Sequence, residues 1–398
     1  MKLKKLSLKM PKGYSKSIHA SVLILTLFGL MMIVSATANV NSLEWTRLVM
    51  VIVKESFFIV VSYIMMVTIA RNFSLQRLKK LYLPILVFTM GALLATQFFG
   101  PVNGAKAWIH LGVASIQPSE FAKITVILVL AHSLGERERS KEGFWDLAAH
   151  PMTMITIMSL IVLFPQGDLG TAMIMLLIAL LTLLVFANSK LQKVQTLFLL
   201  LFVIYIVLII LLNNQAVLDF LDAIPFPDRM HYMINRIKTS ANPFLDRYNA
   251  GAQIFNGLAA FVSGGLWGVG YGKGFLKFSF IYAAESDSIL AVIVEELGVI
   301  FGFMPIVLFY GVIFYQLMKY TFLVKSEKDK AILVGTLSYF FIHFLLNVGG
   351  VTALIPLTGV PLLFISAGGS SRMAVMIAIG LSQNVIARYR SSQPKELS

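Results

Sequence analysis

The sequence predicts an all-α polytopic membrane protein with about ten transmembrane helices. Of its 398 residues, 58% are hydrophobic and only 13% are charged, and the mean hydropathy is +0.81. Soluble domains average about 25% charged residues, so water is not the main solvent of this chain. Since no polar linker or low-complexity stretch divides the sequence, we predict a single membrane domain over residues 1–398.

A transmembrane helix requires about 20 mostly apolar residues, and ten stretches of the chain come near that length. The predicted spans are residues 18–38, 48–70, 81–99, 118–134, 151–164, 168–187, 194–213, 288–318, 331–353 and 362–387. Because the number of spans is even, both termini are predicted on one side of the membrane, as tails over residues 1–17 and 388–398.

Basic residues identify that side as the cytoplasm, because lysine and arginine accumulate in cytoplasmic loops. Of the 33 lysines and arginines, 22 lie in segments that this topology places inside, beginning with six lysines in the N-terminal tail. The net charge of +14 is therefore mostly a topology signal that also attracts anionic membrane lipids. The net positive charge is therefore not an argument for a nucleic-acid partner.

The longest connection, residues 214–287 between the seventh and eighth spans, is predicted to be extracytoplasmic. Its aromatic and glycine content argues against disorder, and residues 246–274 are expected to form helices that lie in or dip into the outer interface. Any chemistry is therefore expected on the outer face. The absence of cysteine excludes disulfides, iron-sulfur clusters and a catalytic thiol, and the six scattered histidines have no zinc-binding spacing.

Ionisable residues within or at the ends of spans are costly in a membrane, which makes them candidates for function. Glu120 and Lys123 lie three residues apart at the start of the fourth span, so they share one helix face. Two interpretations remain open. The pair is either a structural ion pair or part of a polar cavity in which Lys123 contacts a phosphate.

Two aspartates precede predicted helices. Asp168 leads into the sixth span, where it serves either as the N-cap or as a ligand of a substrate or metal. Asp287 lies where the large loop re-enters the membrane, and this position suits a helix cap as well as a general base. The sequence alone leaves both choices open.

Polar residues also lie deep in the last spans. Glu295 and Glu296 are about two turns into the eighth span, so at least one needs a buried partner, for which Lys54 and Arg372 are candidates. Residues 368–372 have the sequence Gly-Gly-Ser-Ser-Arg, which offers amides, hydroxyls and a guanidinium to an anionic phosphate.

These blocks together resemble the shape, elongation, division and sporulation family (SEDS), whose members include FtsW, RodA and SpoVE. The resemblance extends over nearly the whole chain. The segments that carry it are residues 103–109, 117–123, 166–171, 263–270, 287–298 and 347–371.

The resemblance implies a ten-helix peptidoglycan glycosyltransferase of the bacterial plasma membrane that polymerises lipid II on the outer face and releases undecaprenyl pyrophosphate. The family's essential acidic residue falls on Asp287, which by analogy is the general base or holds a divalent cation, Mg or Mn. The expected partner is a class B penicillin-binding protein, a transpeptidase. The expected substrate-binding residues are Lys106, Trp108, Glu120, Lys123, Asp168, Ser370, Ser371 and Arg372.

The chain departs from the family's usual pattern at Ala107, Gly167, Glu285 and Ala367, which stand where Arg, Pro, His and Tyr are common. Asp287 is retained, which favours the polymerase. Two other interpretations remain open: a lipid II flippase, and a non-catalytic scaffold of the cell-wall machinery. The polar candidates collect toward the predicted outer face, whereas a flippase is expected to bind its substrate at the midplane.

Overall fold

The computed structural model describes residues 9–38, 45–102, 105–110, 112, 115–136, 144–185, 196, 200, 217, 251–278, 281 and 283–393. Within these residues the chain forms eleven α-helices and one short antiparallel hairpin, with strands β1 (Ile109–His110) and β2 (Ser115–Ile116). The helices are α1 (Lys16–Thr37), α2 (Trp45–Asn72), α3 (Leu75–Ala95), α4 (Pro118–Glu136), α5 (Phe144–Leu163), α6 (Leu169–Leu184), α7 (Ala252–Gly264), α8 (Ile289–Gly298), α9 (Met304–Leu323), α10 (Glu327–Val351) and α11 (Gly369–Ser392).

The helical, membrane-spanning character predicted from composition is confirmed. Five described helical segments are long and apolar enough to cross a membrane, and two shorter apolar helices, 151–163 and 169–184, accompany them. The five are Lys16–Thr37, Leu48–Asn72, Leu75–Phe98, Ile289–Leu323 and Glu327–Val351. Apart from residues 196, 200 and 217, the predicted span 194–213 and the large loop up to residue 250 lie outside the described residues.

The centre of the bundle is formed by α4, α10 and α11, whose side chains are buried along most of their length. Helix α11 packs along α2, and α10 packs against α4 and α6. Close approach is possible at Gly380, where a Cβ atom would lie 2.6 Å from the Met66 carbonyl oxygen. By contrast α2 and α3 expose Val53, Phe57 and Phe88, the type of surface that lipid covers.

One end of the bundle collects basic side chains. There Arg71 Nη1 donates to the Lys9 carbonyl at 2.8 Å, and Arg390 Nη1 donates to the Tyr14 carbonyl at 3.0 Å. Arg388 forms an ion pair with Asp329 at 2.6 Å. These contacts bring the N-terminal segment, the α2–α3 turn, the α9–α10 turn and the end of α11 together. Because α11 ends here, it begins at the opposite end.

The predicted span 288–318 is not one continuous helix. It breaks at Gly298, which has φ +71°, and a single π-helical turn (Val299–Phe303) connects α8 to α9. The cause is the neighbouring loop, because the Leu266 carbonyl oxygen would lie 2.4 Å from a Cβ at Gly298. The predicted last span also begins later than expected, at Gly369, after an irregular segment over residues 352–368.

The segment expected to lie in the outer interface forms α7 and then a glycine-rich loop, residues 265–278, that packs beside α8. Backbone amides of Val269 and Gly270 donate to the carbonyls of Glu295 and Glu296 at 2.9 Å. The loop backbone therefore caps the end of α8, and its buried amides find hydrogen-bond acceptors there.

The carboxylates of α8 have other partners than the predicted Lys54 and Arg372, so that prediction is wrong. Lys277 Nζ lies 2.6 Å from Glu296 Oε1, and both side chains are fully buried. Ser35 Oγ also donates to Glu296, at 2.7 Å. Glu295 Oε1 accepts from the backbone amides of Phe275 and Leu276 at 2.8 and 3.1 Å. Apart from Ser35 of α1, these partners belong to the glycine-rich loop that packs beside α8.

Candidate functional site

A cavity of about 530 Å³ opens at the end of the bundle opposite the basic cluster. Its walls come from the starts of α4, α6 and α11, from residues 283–287 before α8, and from residues 358–361. Seven of the nine predicted site residues line it: Trp108, Glu120, Lys123, Asp168, Asp287, Ser370 and Ser371. The cavity therefore brings together side chains that lie up to 263 positions apart in the sequence.

Four helices begin at this cavity: α4 at Pro118, α6 at Leu169, α8 at Ile289 and α11 at Gly369. The first turn of each helix leaves backbone N–H groups without intrahelical partners, and the helix dipole adds positive partial charge there. The converging helix starts therefore add amide donors and partial positive charge beside Lys123, in a cavity that four carboxylates also line.

Glu120 and Lys123 form the ion pair that their spacing predicts, with 2.8 Å between Lys123 Nζ and Glu120 Oε1. Both side chains are almost fully buried. Lys123 Nζ also lies 3.1 Å from His343 Nε2 of α10 and 5.7 Å from the centre of the Tyr339 ring. The ion pair is confirmed, and both residues line the cavity. Contact of Lys123 with a phosphate stays a prediction.

Asp168 is the N-cap of α6, which confirms one of the two predicted roles. Its Oδ1 accepts from the Thr171 amide at 2.9 Å, and its Oδ2 accepts from Thr171 Oγ1 at 2.8 Å and from Gln117 Nε2 at 3.2 Å. The backbone N–H of Gln117 in turn donates to Ser370 Oγ at 3.0 Å. One chain of hydrogen bonds thus joins the starts of α4, α6 and α11.

Asp287 lines the cavity from a turn over residues 283–288, and residues outside that turn hold it by hydrogen bonds. The N-cap position of α8 is Ser288, so Asp287 is not the cap residue. The Ala367 amide donates to the Glu285 carbonyl at 2.8 Å, and Ser366 Oγ donates to the Ser286 carbonyl at 2.7 Å. Asp287 is partly exposed, and these hydrogen bonds hold the backbone of its turn.

Gly359 lets the backbone approach that carboxylate. Its φ is +70°, and a Cβ at this position would lie 3.3 Å from Asp287 Oδ2. Asn347 Nδ2 donates to the carbonyls of Asp287 and Val360, each at 2.8 Å. The irregular segment after α10 therefore forms the wall next to Asp287.

Two predicted cations are not among the residues that line the cavity. Arg372 is buried against α2, where Nη1 lies 2.6 Å from Glu55 Oε2, and Nη2 donates to the Ser366 carbonyl at 3.3 Å. Lys106 is exposed, and its amide donates to the Gln166 carbonyl at 2.9 Å. Arg372 thus connects the start of α11 to α2, away from the cavity lining.

The described carboxylates do not form a resident metal site. Within the part of the chain that the structure describes, no three His, Asp or Glu side chains are placed to hold one ion. A Mg²⁺ ion at Asp287 would have to take most of its ligands from water or from substrate phosphates. Among the described residues, the predicted divalent cation therefore has no set of three protein ligands.

Three residues of this site were missed by the sequence analysis: His343, Glu55 and Gln117 as a hydrogen-bond partner of Asp168. His343 and Glu55 are ionisable residues within predicted spans, and that signal could have found them. Their partners lie 220 and 317 positions away, which no local pattern indicates.

Comparisons with known proteins show which family this chain is similar to. The cell cycle protein family of FtsW, RodA and SpoVE matches the chain over residues 15–391. A protein named probable peptidoglycan glycosyltransferase FtsW, from Bacillus subtilis strain 168, is 30% identical, and the match covers 98% of this chain and 94% of that protein. Stage V sporulation protein E of the same strain is 31% identical over 72% of each chain.

Solved structures support the fold. One chain, from a structure described as the coordination of polymerization and crosslinking by a peptidoglycan synthase complex, has a TM-score of 0.72. It is 20% identical, with 96% of this chain and 99% of that one covered. The rod shape determining protein RodA of Thermus thermophilus has a TM-score of 0.60 at 20% identity, covering 96% and 98%.

Proposed function

This chain belongs to the cell cycle protein family of FtsW, RodA and SpoVE, and from that premise we propose that it is a peptidoglycan glycosyltransferase that polymerises lipid II. Relatives that match nearly the whole chain carry this activity in their names. The observation that carries the proposal is the cavity, whose lining brings together the partly exposed Asp287, Lys123 and the starts of α4, α6 and α11.

Asp287 is the general base in this proposal. Its carboxylate takes the proton from the attacking hydroxyl of the acceptor sugar while that oxygen forms a bond to the anomeric carbon of the donor. The bond from that carbon to the pyrophosphate oxygen breaks, and undecaprenyl pyrophosphate leaves as the anion. Since Asn347 Nδ2 donates to the Asp287 carbonyl, the backbone of the base is held in place before substrate binds.

The leaving pyrophosphate is stabilised by the helix starts and Lys123. Preorganised N–H dipoles aimed at developing negative charge are effective in a site that excludes water. Ser370 and Ser371 at the start of α11 contribute hydroxyls, and Trp108, Glu120 and Asp168 complete the substrate contacts. Arg372 acts on substrate through Ser370 and Ser371, whose helix it anchors to Glu55, and Lys106 attracts the anionic substrate from its exposed position.

We place the basic end of the bundle in the cytoplasm, because positive residues favour that side. The cavity then opens at the outer face of the plasma membrane, where the disaccharide of lipid II is presented. The same proposal contains ten spans in a single domain, cytoplasmic termini, and an extracytoplasmic loop over residues 214–287. A divalent cation, if the reaction requires one, arrives with the substrate pyrophosphate.

A class B penicillin-binding protein is the proposed partner, because it would cross-link the strand that this chain polymerises. A peptidoglycan synthase complex contains a chain of the same fold, which supports this choice. A pull-down of the full chain from detergent-solubilised membranes, with a tagged penicillin-binding protein of the same cell, measures the association directly.

Purified protein in liposomes with lipid II tests the activity. We expect glycan polymer together with released undecaprenyl pyrophosphate. Translocation of lipid II without polymer would replace the proposal with the flippase interpretation. No polymer and no translocation, even with the penicillin-binding protein and Mg²⁺ or Mn²⁺ present, would favour the scaffold.

A further inference from the structure

His343 connects Lys123 to the wall segment beside Asp287. It lies in α10 and is fully buried. Its Nε2 is 3.1 Å from Lys123 Nζ, and its Nδ1 is 3.3 Å from the carbonyl oxygen of Pro361. Pro361 lines the cavity two residues after Gly359, where an added Cβ would lie 3.3 Å from Asp287 Oδ2.

These two contacts define the protonation of the ring. A carbonyl oxygen can only accept, so Nδ1 carries the hydrogen that it donates to Pro361. A lysine ammonium can only donate, so Nε2 is the bare nitrogen that accepts from Lys123. His343 is therefore a neutral imidazole with a directed role: it receives from α4 and donates to the wall segment.

Asn347 extends the same arrangement one turn along α10. Residues four apart lie on one helix face, so His343 and Asn347 project toward the same segment. Asn347 Nδ2 donates to the Val360 and Asp287 carbonyls, while His343 donates to Pro361. Two consecutive carbonyls of the wall and the backbone of the proposed base are thus held by one face of α10.

We propose that His343 is a positioning residue that fixes Lys123 and Asp287 relative to one another, an inference that rests on the proposed function. His343 is not among the residues that line the cavity, so it acts through its two partners. Misplacement of reacting groups by about 1 Å costs on the order of 100-fold in rate. Loss of His343 therefore lowers kcat and leaves the KM for lipid II nearly unchanged, since the substrate contacts themselves remain.

Two substitutions separate the two halves of the connection. In His343→Asn the side-chain amide nitrogen takes the place of Nδ1, which keeps the bond to Pro361 and loses the bond to Lys123. In His343→Gln the longer side chain brings its amide oxygen toward Lys123 and gives up the bond to Pro361. His343→Leu removes both.

Tyr310→Phe is the matched control. Tyr310 is buried in α9, and its hydroxyl donates to the Leu363 carbonyl at 2.7 Å, so the substitution removes one buried hydrogen bond to the same irregular segment. We expect His343→Leu to lower kcat about 10- to 100-fold with KM changed less than about 3-fold. His343→Asn and His343→Gln each recover part of kcat, and Tyr310→Phe keeps it within about 3-fold. Equal kcat values for His343→Leu and Tyr310→Phe would overturn the inference.

Amide hydrogen exchange supplies a readout that does not depend on turnover. In His343→Leu the amides of residues 357–360 and 284–288 are expected to exchange at least about 10-fold faster than in Tyr310→Phe, because local opening becomes easier. Similar exchange in both variants contradicts the positioning role, whether or not polymer is made. A wild-type protein that makes no polymer while exchange follows this pattern would refute the proposed function alone.

Discussion

Two buried lysine–glutamate pairs in this molecule have nearly the same local geometry but different surroundings. Lys123 and Glu120 are 2.8 Å apart beside the cavity, and Lys277 and Glu296 are 2.6 Å apart beneath the glycine-rich loop. Lys277 also donates to Ser35 Oγ and the Gly272 carbonyl, and the Gly272 amide donates to Glu296. This second pair is enclosed by protein groups.

The comparison separates two uses of a buried charge. The enclosed pair fastens the loop, α1 and α8 together, and it is not among the residues that line the cavity. The cavity pair has a neighbouring space in which a ligand or water can share its charge. Burial and pairing alone therefore do not identify a reactive site, and access from a cavity is the additional criterion.

The largest effect on stability is expected from Lys277→Met. Removing one member of a buried ion pair leaves the other charge uncompensated, which costs about 3–5 kcal/mol. Thermal unfolding in detergent should show this loss against Lys330→Met, which breaks the partly exposed pair with Glu327 and costs at most about 1 kcal/mol. Equal unfolding temperatures for the two variants would remove the fastening role of Lys277.

Lys123→Met should lower activity strongly and stability only moderately. Water in the cavity can hydrate the remaining Glu120 carboxylate, so we expect a stability loss of about 1–2 kcal/mol, smaller than that of Lys277→Met. Polymerisation per folded molecule should fall about 100-fold, because Lys123 no longer stabilises the leaving pyrophosphate. A variant as unstable as Lys277→Met but fully active when folded would make the two pairs equivalent and would contradict the distinction.

Gly298→Ala tests whether the glycine-rich loop imposes the break between α8 and α9. The alanine would have to adopt φ +71° with its Cβ against the Leu266 carbonyl, which costs about 1–3 kcal/mol. Gly311→Ala in α9 is the control, since a Cβ there meets open space and alanine favours the helix. If thermal unfolding shows no difference between these variants, the loop does not impose the break between α8 and α9.

The sequence predicted local features of this molecule well. Apolar length located α1, α2, α4 and α10 within a few residues, the spacing of Glu120 and Lys123 predicted their ion pair, and the type of residue at 168 predicted an N-cap. Each of these features depends on residues within one or two helical turns. The family predicted from six sequence blocks is also confirmed.

Long-range features could not be predicted in the same way. The break at Gly298 depends on Leu266, which lies 32 positions earlier, and the partner of Arg372 is Glu55 on another helix. The sequence does not indicate Lys277 as the partner of Glu296. The two meet because backbone hydrogen bonds between the glycine-rich loop and α8 set the path of the loop. Such pairings are fixed by how helices pack, and helix periodicity carries no information about it.

The most direct test of the central claim is the polymerisation of lipid II by Asp287→Asn, measured beside Glu285→Gln. Both carboxylates lie on the same turn and line the same cavity, so the two variants differ in the proposed general base alone. We expect Asp287→Asn to fold normally and to lose about 100- to 10,000-fold in kcat, while Glu285→Gln retains most of its activity. Full activity of Asp287→Asn would contradict the assignment of Asp287 as the base.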